Sequence, residues 1–260
     1  MPLYVGDTEV VGVYVGDSPV TIYRGSTRIW PPTPPFEPFN IENETVVAEV
    51  TPDGASGCWV TLGGAGGGGG SGRGSTSGDT KYGGGGGGGG AFIPRLWIPR
   101  ALLGPTYSIT WGRSGAGGPG ASHSNGYAGS AGGASIFTSG EVSLTATGGK
   151  GGGGGTTVFN SGAGGAGGVP VITGLVTTGY TGGKGGNGGR STTAGQSRSD
   201  GSGAGGGSGT GQDDGDSVIG KPGGTSIGPA GDGGDGGYRG GSASVPGDDG
   251  EDGYVLIEWE

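Results

Sequence analysis

Eight aspartates toward the C-terminus are the densest set of side chains here that could do chemistry. Asp213, Asp214 and Asp216, then Asp232 and Asp235, then Asp248, Asp249 and Asp252, offer the hard oxygen ligands that calcium takes. Glycine turns could fold several around an ion, which makes Asp213, Asp214, Asp216, Asp232 and Asp235 weak calcium candidates. The nine-residue calcium-binding β-helix pattern is not kept, because its apolar position is missing. A solubilising acidic edge is the simpler reading. The second set is aromatic: Phe92, Trp97, Tyr107, Trp111, Tyr127 and Tyr180. Packing accounts for most of it. Tyr127 and Tyr180 fall in polar, loop-like surroundings and are candidate receptor contacts, able to stack on sugars.

Catalytic chemistry finds little support. The one histidine, His123, lies in Ala-Ser-His-Ser-Asn-Gly, a solvated loop by composition, and no Gly-x-Ser-x-Gly elbow is set between a strand and a helix. One cysteine, Cys58, excludes an intramolecular disulfide framework and reads as a buried, inert thiol in an apolar strand. His and Cys are too few for a zinc site. Lys150 lacks the Ser or Thr that follows a phosphate-loop lysine. The chain is therefore expected to be no enzyme and to need no cofactor.

The elements that must position these residues are unusual. In Gly182–Arg190 the only side chains, Lys184, Asn187 and Arg190, stand three residues apart. Ala163, Ala166 and Val169 repeat the spacing, as do Asp232, Asp235 and Tyr238. An α-helix, at about 3.6 residues per turn, would smear such a set around its axis. A polyproline-II-type helix has three residues per turn and aligns it along one edge. That helix has no internal hydrogen bonds, so its N–H and C=O groups must find partners on neighbouring rods. The sequence predicts a bundle of polyglycine-II rods.

Glycine supplies 78 of 260 residues, six of them in residues 1–60, so the rods belong to the remainder. The collagen phase is not kept: the longest clean run, Gly228–Ser242, is broken at Ala243. Five apolar segments read as strands, at Thr45–Val50, Cys58–Leu62, Tyr107–Trp111, Glu141–Thr147 and Tyr254–Glu260. The first two flank Pro52-Asp53-Gly54 and are expected to form a hairpin. In the last, Val255, Ile257 and Trp259 form the more apolar face. No stretch has amphipathic helix periodicity. The fold class is all-β with polyglycine-II: a small β-sandwich from which rods emerge and pack.

Three units divide the chain. Residues 1–30 repeat Tyr4-Val5-Gly6-Asp7-Thr8, Tyr14-Val15-Gly16-Asp17-Ser18 and Tyr23-Arg24-Gly25-Ser26-Thr27, each a hairpin-sized unit around a two-residue turn. So short a module is expected to assemble with a neighbour or with its own copies. Residues 31–38 are a proline-rich, stiff linker. Residues 39–260 are the glycine-rich domain.

Net charge is −9. Residues 201–260 carry 11 Asp or Glu against two Lys or Arg, which argues against nucleic acid as a partner. No apolar run approaches the ~18 residues of a membrane span, and the start lacks a signal-peptide pattern, so synthesis is expected in a cytoplasm without membrane insertion.

The Tyr-Val-Gly-Asp-Thr repeats followed by Ile29-Trp30-Pro31 resemble the start of glycine-rich minor tail proteins of tailed actinobacterial, mycobacteriophage-like phages. Val50-Thr51-Pro52-Asp53-Gly54, the run Val60–Gly68 and the closing Asp252–Trp259 are similar to the glycine-rich domain of such proteins. The resemblance implies a structural protein of the virion's distal tail that docks on other tail proteins, forms a homo-oligomer (a trimer) and touches host surface glycans. It implies no catalytic residues. The competing reading is a glycine-rich structural protein of a bacterial cell surface.

Overall fold

The computed structural model describes residues 36–75, 80–159, 161–214 and 216–260, together with backbone strands within residues 4–30. Those strands form three antiparallel pairs: β1 (Tyr4–Val5) with β2 (Thr8–Glu9), β3 (Tyr14–Val15) with β4 (Ser18–Pro19), and β5 (Ile22–Arg24) with β6 (Thr27–Trp30). The turns at Gly6-Asp7, Gly16-Asp17 and Gly25-Ser26 and the linker residues 31–35 lie outside the described residues.

A β-sandwich follows. Its strands are β7 (Phe39–Glu42), β8 (Val46–Val50), β9 (Gly57–Gly63), β10 (Phe92–Pro99), β11 (Thr106–Thr110), β12 (Ser135–Ser139), β13 (Val142–Ala146), β14 (Pro170–Thr173) and β17 (Tyr254–Trp259); β15 (Gly211–Asp213) and β16 (Asp216–Val218) make a separate hairpin. One antiparallel sheet runs β10-β9-β17-β7 and the other β14-β13-β12-β11-β8. Alternation sets the core: Phe137, Val142, Leu144, Val255, Ile257 and Trp259 point inward and are buried. Fully burying each such side chain contributes about 1.5–3 kcal/mol. Trp259 joins the sheets, its ring 5.0 Å from that of Tyr107. Cys58 lies in this core, and burial pushes its thiol up to about 12, an inert state.

All five expected strands are present within a residue or two of their expected ends, but the expected hairpin is not. β8 pairs only with β11, while β9 pairs with β10 and β17, so Pro52-Asp53-Gly54 carries the chain between sheets. Gly54, at φ 88°, takes the left-handed conformation this reversal needs. A local turn signal fixes a change of direction, not which strands pair. Four sandwich strands were not anticipated: β7, β10, β12 and β14. β10 contains Pro94 and Pro99, tolerated because it is an edge strand with an irregularity between Ile93 and Leu96. Among the described residues the only helical turn is a 3-10 turn at Arg100–Leu102. The chain is all-β.

Twelve extended segments among the described residues form the rods, running alternately away from the sandwich and back. Rods 1 to 6 span residues 64–74, 81–91, 112–121, 125–134, 147–156 and 161–169. Rods 7 to 12 span 180–190, 192–198, 202–210, 220–225, 230–240 and 243–253. Rod 1 shows the rule. Gly64, Gly67 and Gly70 donate their N–H groups to Ala91, Gly88 and Gly85 of rod 2, at 2.8–2.9 Å. Ala65, Gly68 and Ser71 donate to Gly133, Ser130 and Tyr127 of rod 4, and Gly66 and Gly69 to Glu251 and Asp248 of rod 12. Its carbonyls accept from rods 3, 5 and 11 with the same period, for example Gly64, Gly67 and Gly70 from Gly231, Gly234 and Gly237. Six neighbours, each met every third residue, make a hexagonal array in which the backbone groups of P-II-type rods are satisfied.

Small side chains or none mark depth in this array. Rods 1 and 2, almost entirely glycine there, and rod 9, built only of Gly, Ala, Ser and Thr, are buried through 63–72, 82–91 and 202–209. In rod 7 glycines 182, 183, 185, 186, 188 and 189 are buried, while Lys184 and Arg190 are exposed and Asn187 half-buried. Rod 6 buries Gly162, Gly165 and Gly168 and exposes Ala163, Ala166 and Val169. A Cβ on Gly87 would stand 1.9 Å from the Gly67 carbonyl oxygen, a separation no side chain survives.

Candidate functional site

The connections between outgoing and returning rods gather at one end of the bundle, the end away from the sandwich. Rod 1 holds eleven residues, so this tip stands about 34 Å from the sheets at ~3.1 Å per residue. Bridges at Gly74–Gly240, Lys81–Gln212 and Ser122–Ala243 tie its loops together. The chain enters the sandwich at the opposite pole, where Phe39 pairs with Trp259 at the end of β17 far from rod 12.

Side chains lock the tip. Asp213, in the β15–β16 hairpin, accepts from Tyr82 Oη at 3.1 Å and pairs with Arg190 Nε at 2.7 Å, tying rods 2, 7 and 9. Burial first, then the bond to Asp213, raises the Tyr82 hydroxyl above its ordinary pKa and keeps it a donor. Arg190 also lies over the ring of Phe159, 5.5 Å from its centroid. Thr80 Oγ1 reaches both Asp213 and Asp214 at 3.4 Å, and Arg73 donates to Asn125. Clefts of about 210 Å³ and 420 Å³ open beside Arg190. The first is lined by Phe159, Ser161, Ala163, Asn187, Gly189 and Ser191. Arg190, Thr192, Asp213, Asp216, Ser217 and Lys221 are among the residues lining the second.

The aspartates picked out as calcium candidates are divided between different tasks. Asp213 is engaged as described, Asp214 meets Thr80, and Asp216 is exposed on the same hairpin. Asp232 and Asp235 lie on rod 11, where their carboxylates accept the N–H groups of Ala204 at 2.7 Å and Gly207 at 2.5 Å in rod 9. Asp249 and Asp252 do the same for Gly117 and Ser114 of rod 3, both at 2.7 Å. The three-residue spacing of these pairs is the spacing of the donors they serve. Among the described residues no three His, Cys, Asp or Glu come together in a group that could hold a metal ion.

Tyr127 and Tyr180 are both partly exposed, at 52% and 39%, but do not share a site. Tyr180 bridges and stacks on Phe92, which pairs with Gly63 where the rods leave the sheets. Tyr127 meets Ser71, eight residues further along rod 1, about 25 Å away at ~3.1 Å per residue. Only Tyr127 belongs to the tip. Of the remaining aromatic set, Tyr107 is core and Trp111 lies under Arg113, 3.6 Å from its ring. The residue that sequence reading missed is Phe159. Its signal was the stretch Thr156-Thr157-Val158-Phe159-Asn160-Ser161, where two large apolar residues interrupt two threefold glycine tracts.

Compared with known families, residues 43–260 match a family described as a glycine-rich domain. No curated protein matches the chain.

Proposed function

The chain belongs to this family of glycine-rich domains, and from that premise we propose that it is a non-catalytic structural protein of a phage tail, displaying the rod tip to the host envelope. Residues 1–38 hold it to other tail proteins, and its copies associate as a trimer at the distal end of the virion. One observation carries the reading: the chain enters at one pole, and the varied polar loops gather at the other. Between the poles stands a lattice with almost no side chains to vary, so the loops can change without disturbing what supports them. The resemblance of residues 4–31 and of both ends of the glycine-rich domain to minor tail proteins agrees with this polarity.

Peptides of this chain in washed virions, and loss of adsorption when antibody covers the tip, are the expected results. Virions that lack the chain, or that adsorb normally with the tip covered, sink the proposal. Deleting residues 1–38 should abolish incorporation; normal incorporation would place the anchor elsewhere.

A further inference from the structure

The smaller cleft beside Arg190 differs from the rest of the surface in what it leaves unused. Asn187 Oδ1 accepts from Gly164 N at 2.9 Å, yet among the described residues its Nδ2 donates to no protein group. Ser161 Oγ accepts from Thr156 N at 3.1 Å, and neither its hydroxyl nor that of Ser191 donates to a protein acceptor there. Three donors without a protein acceptor are thus carried by residues that line a cleft bounded by one aromatic ring, Phe159, which is 49% exposed.

The ring is held ready. Thr156 N, Val158 N and Ser161 N are all bonded within the loop, and Arg190 N donates to the Phe159 carbonyl at 3.1 Å. The Arg190 guanidinium, fixed by Asp213, covers part of the ring. These described backbone groups are already bonded, which lowers the cost of ordering them around a small ligand.

The chemistry of the lining narrows the ligand. The six lining residues carry no charge, and the adjacent Arg190 guanidinium is already paired with Asp213, which disfavours a phosphate or carboxylate ligand. One flat ring, with the methyl group of Ala163 as the only other apolar side chain in the lining, does not fit a lipid tail or a buried peptide side chain. At about 210 Å³ the cleft is smaller than the ~300–1,000 Å³ of drug-sized sites and suits one ring. Donors set around an exposed aromatic face match a sugar, which presents hydroxyls at its rim and C–H groups on its face. We propose that this cleft binds one neutral pyranose of a surface glycan, its C–H face on Phe159 and its hydroxyls accepting from Ser161, Asn187 and Ser191. This rests on the host-contact reading above and names the ligand class of that tip. A single site binds weakly, and repeated copies on one tail multiply it.

The test uses the full chain and the methyl pyranosides of glucose, galactose, mannose and N-acetylglucosamine. Saturation-transfer NMR should show contact at the C–H protons of at least one of them. Phe159→Ala should weaken that sugar at least tenfold, Phe159→Tyr should retain it, and Ser191→Ala should weaken it a few-fold. Contact with none of the four sugars, or contact unchanged in Phe159→Ala, overturns the assignment. Binding to whole host cells is measured in parallel. Cell binding that trypsin treatment of the cells abolishes, with no sugar bound, points to a protein receptor: it overturns the sugar site and leaves the host-contact reading standing. Sugar binding without cell binding supports the cleft and sinks that reading.

Discussion

In the sandwich, Phe137, Leu144, Ile257 and Trp259 fill the space between two sheets with side chains. Around Gly67 and Gly87 a neighbouring carbonyl stands where a side chain would begin. Both interiors exclude water, but the first gains from apolar area and the second from close backbone contact and paired N–H and C=O groups. Each such bond contributes only about 0.5–1.5 kcal/mol net, and ordering glycine costs more than ordering any other residue. The rods therefore depend on many small terms that must all be met. A side-chain core tolerates a missing methyl group better than this lattice tolerates an added one. The few side chains inside the inner rods, such as Ala65, Ala91, Ala204 and Ser71, sit near the ends; glycines 66–70, 83–90 and 205–207 make an unbroken waist.

The sharpest way to break the comparison is at that waist. Gly87→Ala places a methyl group 1.9 Å from a backbone oxygen that cannot swing aside, and should lower stability by more than about 4 kcal/mol, enough to prevent folding. Leu144→Ala, a far larger change in volume, should leave a folded protein weakened by about 2–5 kcal/mol. Chemical denaturation of both variants ranks them; equal losses would mean the rods relax as a core does.

Phase within one rod gives a smaller contrast. Gly186→Val would drive its Cβ to 2.1 Å from the Thr193 carbonyl and should unfold at least the outer rods. Asn187→Val, on the half-buried edge, removes only its bond to Gly164 N, about 1 kcal/mol. Thermal melts that fail to separate them would refute threefold phasing there.

Acid acts on the carboxylates that cap rod N–H groups. The bond from Ser114 N, then that from Arg113, holds the Asp252 carboxyl below the usual carboxylate range. A depressed folded value means the stabilisation is present above an unfolded value near ~3.9 and is lost as pH falls through the folded value. Hydrogen exchange at Ser114 should rise below about pH 4 in the parent protein, with that pH dependence reduced in Asp252→Asn. The smallest effect belongs to Gly241, whose added Cβ would meet nothing within 4 Å. Gly241→Ala should be neutral or stabilise by about 0.4–1 kcal/mol.

How much could be read from sequence follows the same division. Lys184, Asn187 and Arg190 announced a rod because period three survives only in a helix of three residues per turn, and Val255, Ile257 and Trp259 announced an inward face. β10 was hidden by Pro94 and Pro99, whose tolerance depends on an edge position that only the assembled sheet defines. The pairing of β8 with β11 joins residues 106–110 to 46–50, and no local pattern encodes that partner. The site was partly visible in Tyr127 and its polar, loop-like surroundings. Phe159 gained meaning only when rod 6, rod 7 and the turn after rod 7 set Ser161, Asn187 and Ser191 beside it.

The hydrogen bonds between rods run across the bundle axis. A pull applied between the sandwich pole and the tip loads them in shear, many at once, and cannot peel them one after another as it would a hairpin pulled at its open ends. The bundle is in that sense a tie rod: it transmits tension along its length with little stretch, because each rod is already an extended chain.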